Sequence, residues 1–144
     1  MPRRFVFRLE TLLRVRELRE REAQRKLAAR RAELARLDRL NDETARAILR
    51  QQAELRAAQG GLLDPLRLQR GRAWIAHLRR TMTLRQAQRA ELVARIDELA
   101  AAWREARKQK RMIAELRARR WSEYVLLRDR EEQAASDELA QQLP

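Results

Sequence analysis

The chain has 144 residues, a formal net charge of +13, 44% hydrophobic and 38% charged residues, only three Gly and three Pro, and no Cys. So few chain breakers argue against a compact sheet fold with many turns, and the missing thiols exclude disulfides and thiolate metal sites. Ala, Leu, Arg, Glu and Gln dominate; all are strong helix formers, and this is the composition of long helices and coiled coils.

In chain order, residues 1–8 are basic but lack the apolar stretch of a secretory signal. Glu10, Glu17, Glu20 and Glu22 argue against a mitochondrial transit peptide, so a cytoplasmic location is expected. A first helix is predicted over about residues 5–59. One set of heptad positions in it holds Leu13, Glu20, Leu27, Leu34, Asn41, Ile48 and Leu55. The other holds Leu9, Arg16, Ala23, Arg30, Leu37, Thr44, Gln51 and Ala58. Several members are polar, so the seam is that of an imperfect coiled coil.

The strong break is Gly60-Gly61-Leu62-Leu63-Asp64-Pro65. Gly60 suits the left-handed conformation that closes a helix. Asp64 suits an N-cap, with Pro65 at the first helical position. A turn this short makes the flanking helices antiparallel neighbours. The second helix, about residues 66–140, carries Ile75, Met82, Arg89, Ile96, Trp103 and Lys110 on one heptad set. Leu78, Arg85, Leu92, Leu99, Ala106 and Ile113 form the other. Gly71 is expected to bend or fray the first turns without ending the helix. After a phase slip, Leu116, Trp121, Tyr124 and Leu127 continue the apolar track.

The expected fold is therefore all-α: one domain over residues 1–144, two long helices in an antiparallel coiled-coil hairpin. Folding about the glycine pair predicts facing residues whose numbers sum to about 125. Leu34 then meets Leu92, Leu27 meets Leu99, Leu9 meets Leu116, Ala23 lies opposite Trp103, and Phe5 lies near Trp121. The helix beyond Tyr124 has no partner and should overhang. Charge is uneven along this hairpin: residues 66–121 carry a net +11, residues 122–144 a net −4.

Catalytic chemistry has no foothold in the sequence, so no enzyme activity, metal or cofactor is expected. His77 is the only histidine, there is no HExxH pair, and the glycines form no phosphate-binding loop. Carboxylates sit beside Arg at helical spacing, where intrahelical pairing is their ordinary role. The longest apolar run, residues 99–103, is far short of the about 18 residues that cross a bilayer, so no membrane insertion is expected. A charge this high would bind nucleic acid non-specifically. Yet no reading module or stacking array accompanies it, and a basic nucleic-acid-binding coiled coil stays only as an alternative.

Phe5-Val6-Phe7-Arg8-Leu9-Glu10-Thr11-Leu12-Leu13-Arg14-Val15-Arg16-Glu17 resembles the opening of the flagellar FliJ family, which commonly begins with a Phe-x-Leu-x-x-Leu-Leu pattern. Arg130-Glu131-Glu132-Gln133 and Asp137-Glu138-Leu139-Ala140 are similar to that family's C-terminal ending. The resemblance implies a cytoplasmic component of the flagellar type III export apparatus, peripheral to the inner membrane. It implies a stalk that associates with the hexameric export ATPase, promotes ring assembly, links it to the membrane export gate and handles export chaperones. An injectisome stalk protein is the nearest alternative.

On that reading the open end, residues 5–16 and 108–127, meets the ATPase. Its contact candidates are Phe5, Leu9, Leu12, Leu13, Arg16, Arg111, Arg117 and Arg120. The plainer alternative is that Phe5, Phe7, Leu9, Leu12 and Leu13 pack the end of the hairpin. Trp74, Leu84 and Ala87 lie off the seam and are candidates for docking the export gate or a chaperone. Ordinary scattered apolar exposure is the competing explanation for them.

Overall fold

A computed structural model describes residues 4–61 and 64–143. Its elements are α1 (Glu10–Ala58) and α2 (Pro65–Gln142), which pack against each other as an antiparallel helical hairpin. No strand occurs among the described residues. The chain falls into two compact units. A turn unit comprises Arg25–Ala101, and a terminal unit comprises Met1–Gln24 with Ala102–Pro144.

In the turn unit, α2 starts as the Asp-Pro pair dictates. Asp64 Oδ1 accepts the Leu66 N–H at 3.0 Å, and Pro65 fills a position whose missing N–H costs nothing. Leu62 and Leu63, part of the predicted turn, lie outside the described residues. The end of α1 corrects one expectation: no described glycine has a positive φ, so Gly60 is not a left-handed cap. The helix tightens instead. Gln59 N–H is shared between the Leu55 and Arg56 carbonyls, and Gly60 and Gly61 donate to Ala57 and Ala58, three residues back. Such bonds satisfy carbonyls that a helix end leaves free.

The seam of this unit is aliphatic. Leu27, Ile48, Ile75, Leu78, Ile96 and Leu99 are buried, each at a predicted heptad position. Ile48, Ile75 and Leu78 form one cluster, flanked by Ala47, Leu55 and Met82. Each such side chain contributes about 1.5–3 kcal/mol by leaving water. One polar exception is satisfied: buried Thr44 donates to the Leu40 carbonyl at 2.9 Å and accepts from Arg85 Nη1 at 2.7 Å. Arg85 also reaches the Leu40 carbonyl, and Arg89 pairs with Asp38 at 2.8 Å.

Gly71 is buried in this seam, one heptad before Leu78. A Cβ there would meet Leu55 Cδ2 at 2.7 Å. The residue expected to weaken α2 instead gives room for Leu55, and α2 runs through it unbroken. The requirement is for space, not for an unusual backbone angle.

The terminal unit follows the predicted register with different chemistry. Phe5 faces Trp121, Glu10 faces Arg117, Arg16 faces Gln109 and Glu20 faces Trp103, all close to the expected sum. Residues 4–7 are not helical, so α1 begins at Glu10, not near Phe5. Turned out of the helix path, Phe5 sets its ring against two aromatic rings of α2, a contact that takes the place of another helical turn. Toward the C-terminus, residues 129–143 of this unit are all exposed.

Candidate functional site

The terminal unit carries a seam in which polar groups replace aliphatic ones. Glu20 occupies a heptad position and is largely buried, with side-chain exposure of 13%. Its carboxylate accepts the Trp103 indole N–H at 3.2 Å and lies 3.8 Å from Lys110 Nζ. The Arg107 guanidinium lies over the Trp103 ring, its carbon 5.4 Å from a ring centroid. Arg16 Nη1 donates to Gln109 Oε1, while Arg16 Nε is buried without a partner. Glu10 and Arg117 close the seam with an ion pair at 2.9 Å.

Beyond Glu10 lies an aromatic cluster. The Phe5 ring meets Trp121 edge-on, with centroids 5.1 Å apart at 84°, and Tyr124 at 5.6 Å. Arg117 lies over the Phe5 ring at 5.5 Å. Trp121 and Tyr124, one helical turn apart, also touch. Between residues 4–9 and this stretch of α2 runs an open groove of about 960 Å³. Its walls mix Phe5, Phe7, Leu9, Leu116, Tyr124 and Leu127 with Arg4, Arg8, Arg120 and Arg128 and with Glu123, Glu131 and Glu132. The charges are interleaved, Arg120 with Glu123 and Arg128 with Glu132. A mixed apolar and charged groove of this kind can hold an amphipathic segment.

The ATPase-contact candidates divide sharply by exposure. Leu13 is buried in the seam, Phe5 and Leu12 are half-buried, and Leu9 is exposed. Arg16 and Arg117 are engaged within the hairpin by Gln109 and Glu10. Arg111 is exposed, and Arg120, also exposed, pairs with Glu123 at 3.3 Å. The exposed members are therefore Leu9, Arg111 and Arg120. In the turn unit, Trp74 is half exposed and stacks on His77 at 5.4 Å, while Leu84 and Ala87 are exposed.

Some members of the groove were not read as site residues. The set Ile75, Met82, Arg89, Ile96, Trp103, Lys110 continues by sevens to Arg117 and Tyr124, both partly covered. The other set does lose phase after Ile113: Arg120 is exposed and Leu116 is partly covered. Of the expected track, Leu116 and Tyr124 are partly covered, whereas Trp121 and Leu127 are 45% and 58% exposed, and Val125 and Arg128 are partly covered beyond it.

Among the described residues, no group of three or more His, Asp or Glu is placed to hold a metal ion. None of their helices is long and apolar enough to cross a membrane. A family model described as flagellar FliJ protein matches residues 5–144, essentially the whole chain and both units. The chain belongs to the FliJ family. FliJ proteins are non-catalytic components of the flagellar export apparatus. Comparison with curated proteins gave no match, and comparison with solved structures gave none either.

Proposed function

We propose that this FliJ-family chain is a non-enzymatic stalk of the flagellar export apparatus that binds the hexameric export ATPase and promotes ring assembly and turnover. It also links the ring to the membrane export gate and to export chaperones, working in the cytoplasm at the inner membrane. The single observation that carries this reading is the family match over residues 5–144. The packed helical pair supports it, because a stalk needs a stiff body and a charged exterior and needs no reactive group. The exposed arginines suit an acidic ring lumen by electrostatic complementarity.

Within that reading the terminal unit meets the ATPase. Leu9, Arg111 and Arg120 make the contact, Arg16 and Arg117 hold the surface in shape, and Phe5, Leu12 and Leu13 pack beneath it. Trp74, Leu84 and Ala87 in the turn unit dock the gate or a chaperone. The test is co-purification with the export ATPase and stimulation of its turnover by the full chain. Arg111→Glu with Arg120→Glu should abolish stimulation at unchanged helix content and melting. Retained stimulation in that variant overturns the assignment of the terminal unit, and no stimulation by the unaltered chain overturns the stalk reading itself.

A further inference from the structure

Residues 65–90, the first third of α2, contain seven arginines and not one Asp or Glu. Two of the seven are used inside the hairpin, Arg85 on Thr44 and Arg89 on Asp38. The others, Arg67, Arg70, Arg72, Arg79 and Arg80, are exposed, and among the described residues none pairs with a carboxylate. Elsewhere on this helix acid-free stretches are short, and some basic residues pair with acids, as Arg95 with Glu98 and Arg120 with Glu123. No other acid-free stretch of the helix is as long.

Apolar side chains lie on the flank that carries Arg70 and is bordered by Arg67 and Arg80, whereas Arg72 and Arg79 fall on the face of Thr83. Leu66, Arg70, Trp74, His77, Thr81 and Leu84 follow at steps of three or four, so they occupy one flank of α2. Leu66 is 50% exposed, Trp74 50% and Leu84 67%. The indole is steadied by its stack on His77. An Arg-rich helix bearing Trp and Leu on one flank has the composition of a surface-seated amphipathic helix.

We propose that this flank of α2 docks on an anionic phospholipid surface, with Trp74, Leu66 and Leu84 seated at the headgroup level and Arg67, Arg70 and Arg80 on lipid phosphates. What favours lipid is the charge: this stretch of α2 holds arginines with no acid among them, and the apolar groups on the flank are spaced by whole helical turns instead of forming one patch. A fluid anionic surface suits such dispersed groups, because lipids move to meet them. Trp is favoured at the boundary between headgroups and acyl chains. The contact is interfacial and crosses nothing. It stands independently of any docking of a gate or chaperone on the same residues.

The experiment is sedimentation of the full chain with vesicles of pure phosphatidylcholine and with vesicles of equal parts phosphatidylcholine and phosphatidylglycerol. Binding is expected to the second only, and to weaken with salt. Joint replacement Arg67→Gln, Arg70→Gln and Arg80→Gln should lower partitioning about a hundredfold, from about fivefold per arginine near an anionic surface. Trp74→Ala should lower it about tenfold without changing the salt dependence. Arg104→Gln, Lys108→Gln and Arg119→Gln, an equal charge loss in the terminal unit, should lower it far less.

Since the chain has no Cys, a polarity-sensitive fluorophore on Gln88→Cys, on the same flank, reports seating directly. It should shift to the blue with phosphatidylglycerol vesicles, whereas the same label on Thr83→Cys, on another face, should not. Absence of binding to phosphatidylglycerol vesicles overturns the proposal. So do equal losses from the two arginine and lysine triples, which would mean attraction by overall charge, and an unshifted label on Gln88→Cys. No other protein is present, so none of these outcomes depends on the stalk reading.

Discussion

The turn unit and the terminal unit are built from the same two helices but are held together by different forces. Six aliphatic side chains are buried in the first, whereas among the described residues Leu13 alone is buried to that degree in the second. Where the turn unit has Ile48, Ile75 and Leu78 in contact, the terminal unit has Glu20 on Trp103 and Lys110, Arg16 on Gln109 and Glu10 on Arg117. Apolar burial is non-directional and lost outright on opening. A hydrogen bond is worth only about 1 kcal/mol net, because water or a partner can replace it. The terminal unit is thus the half whose contacts can be exchanged for those of another protein at little cost.

Breaking the aliphatic side of this comparison should give the largest effect. Ile75→Ala removes a side chain from the Ile48–Leu78 cluster and should cost about 2–4 kcal/mol, read as a lower midpoint in urea unfolding. Next comes the polar seam: Glu20→Ala leaves the Trp103 N–H and the Lys110 charge without their carboxylate, for about 1–2 kcal/mol. Glu20→Gln keeps an acceptor for the indole and should lose less. Equal losses in the two variants would show that the indole bond contributes nothing.

Smaller again is Glu10→Gln. Its ion pair with Arg117 is about two-fifths exposed on both sides, so the loss should stay below about 1 kcal/mol and shrink further in high salt. Gly71→Ala should lie nearest zero. Alanine gains about 1 kcal/mol of helix propensity, offset by the shift needed in the Leu55 side-chain terminus at 2.7 Å. A larger residue such as Leu has no such compensation and should destabilise the turn unit.

Much of this was legible in the sequence. Heptad spacing located every buried aliphatic residue of the seam, and the Gly-Gly and Asp-Pro pairs located the turn and set the register. Periodicity also placed Glu20, Arg16 and Thr44 at the interface, although it could not name their partners, because a polar seam residue bonds to whichever group the facing helix brings within reach. Gly71 was misjudged for a related reason. Helix propensity ranks glycine as a weak point, whereas tertiary contact makes its missing side chain the space that Leu55 fills.

The ends of α1 escaped the pattern as well. Gly60 sits where a left-handed cap is common, yet tightened hydrogen bonds do the same work without a positive φ. At the other end, Phe5-Val6-Phe7 contains no helix breaker, yet residues 4–7 are not helical and Phe5 packs on Trp121 and Tyr124. Val125 and Arg128 are partly covered there and Leu127 is exposed. The candidate groove was therefore invisible to periodicity, since it exists only because the chain leaves the helix.

Amide hydrogen exchange of the full chain, with and without the hexameric export ATPase, tests the division of labour most directly. Alone, amides flanking Ile48, Ile75 and Leu99 should exchange slowest, and those of residues 10–20 and 103–120 faster. With the ATPase, protection should rise over residues 9–16 and 111–120 and stay unchanged over 65–100. Protection gained only in the turn unit, or uniform exchange across both units in the free chain, would contradict the account.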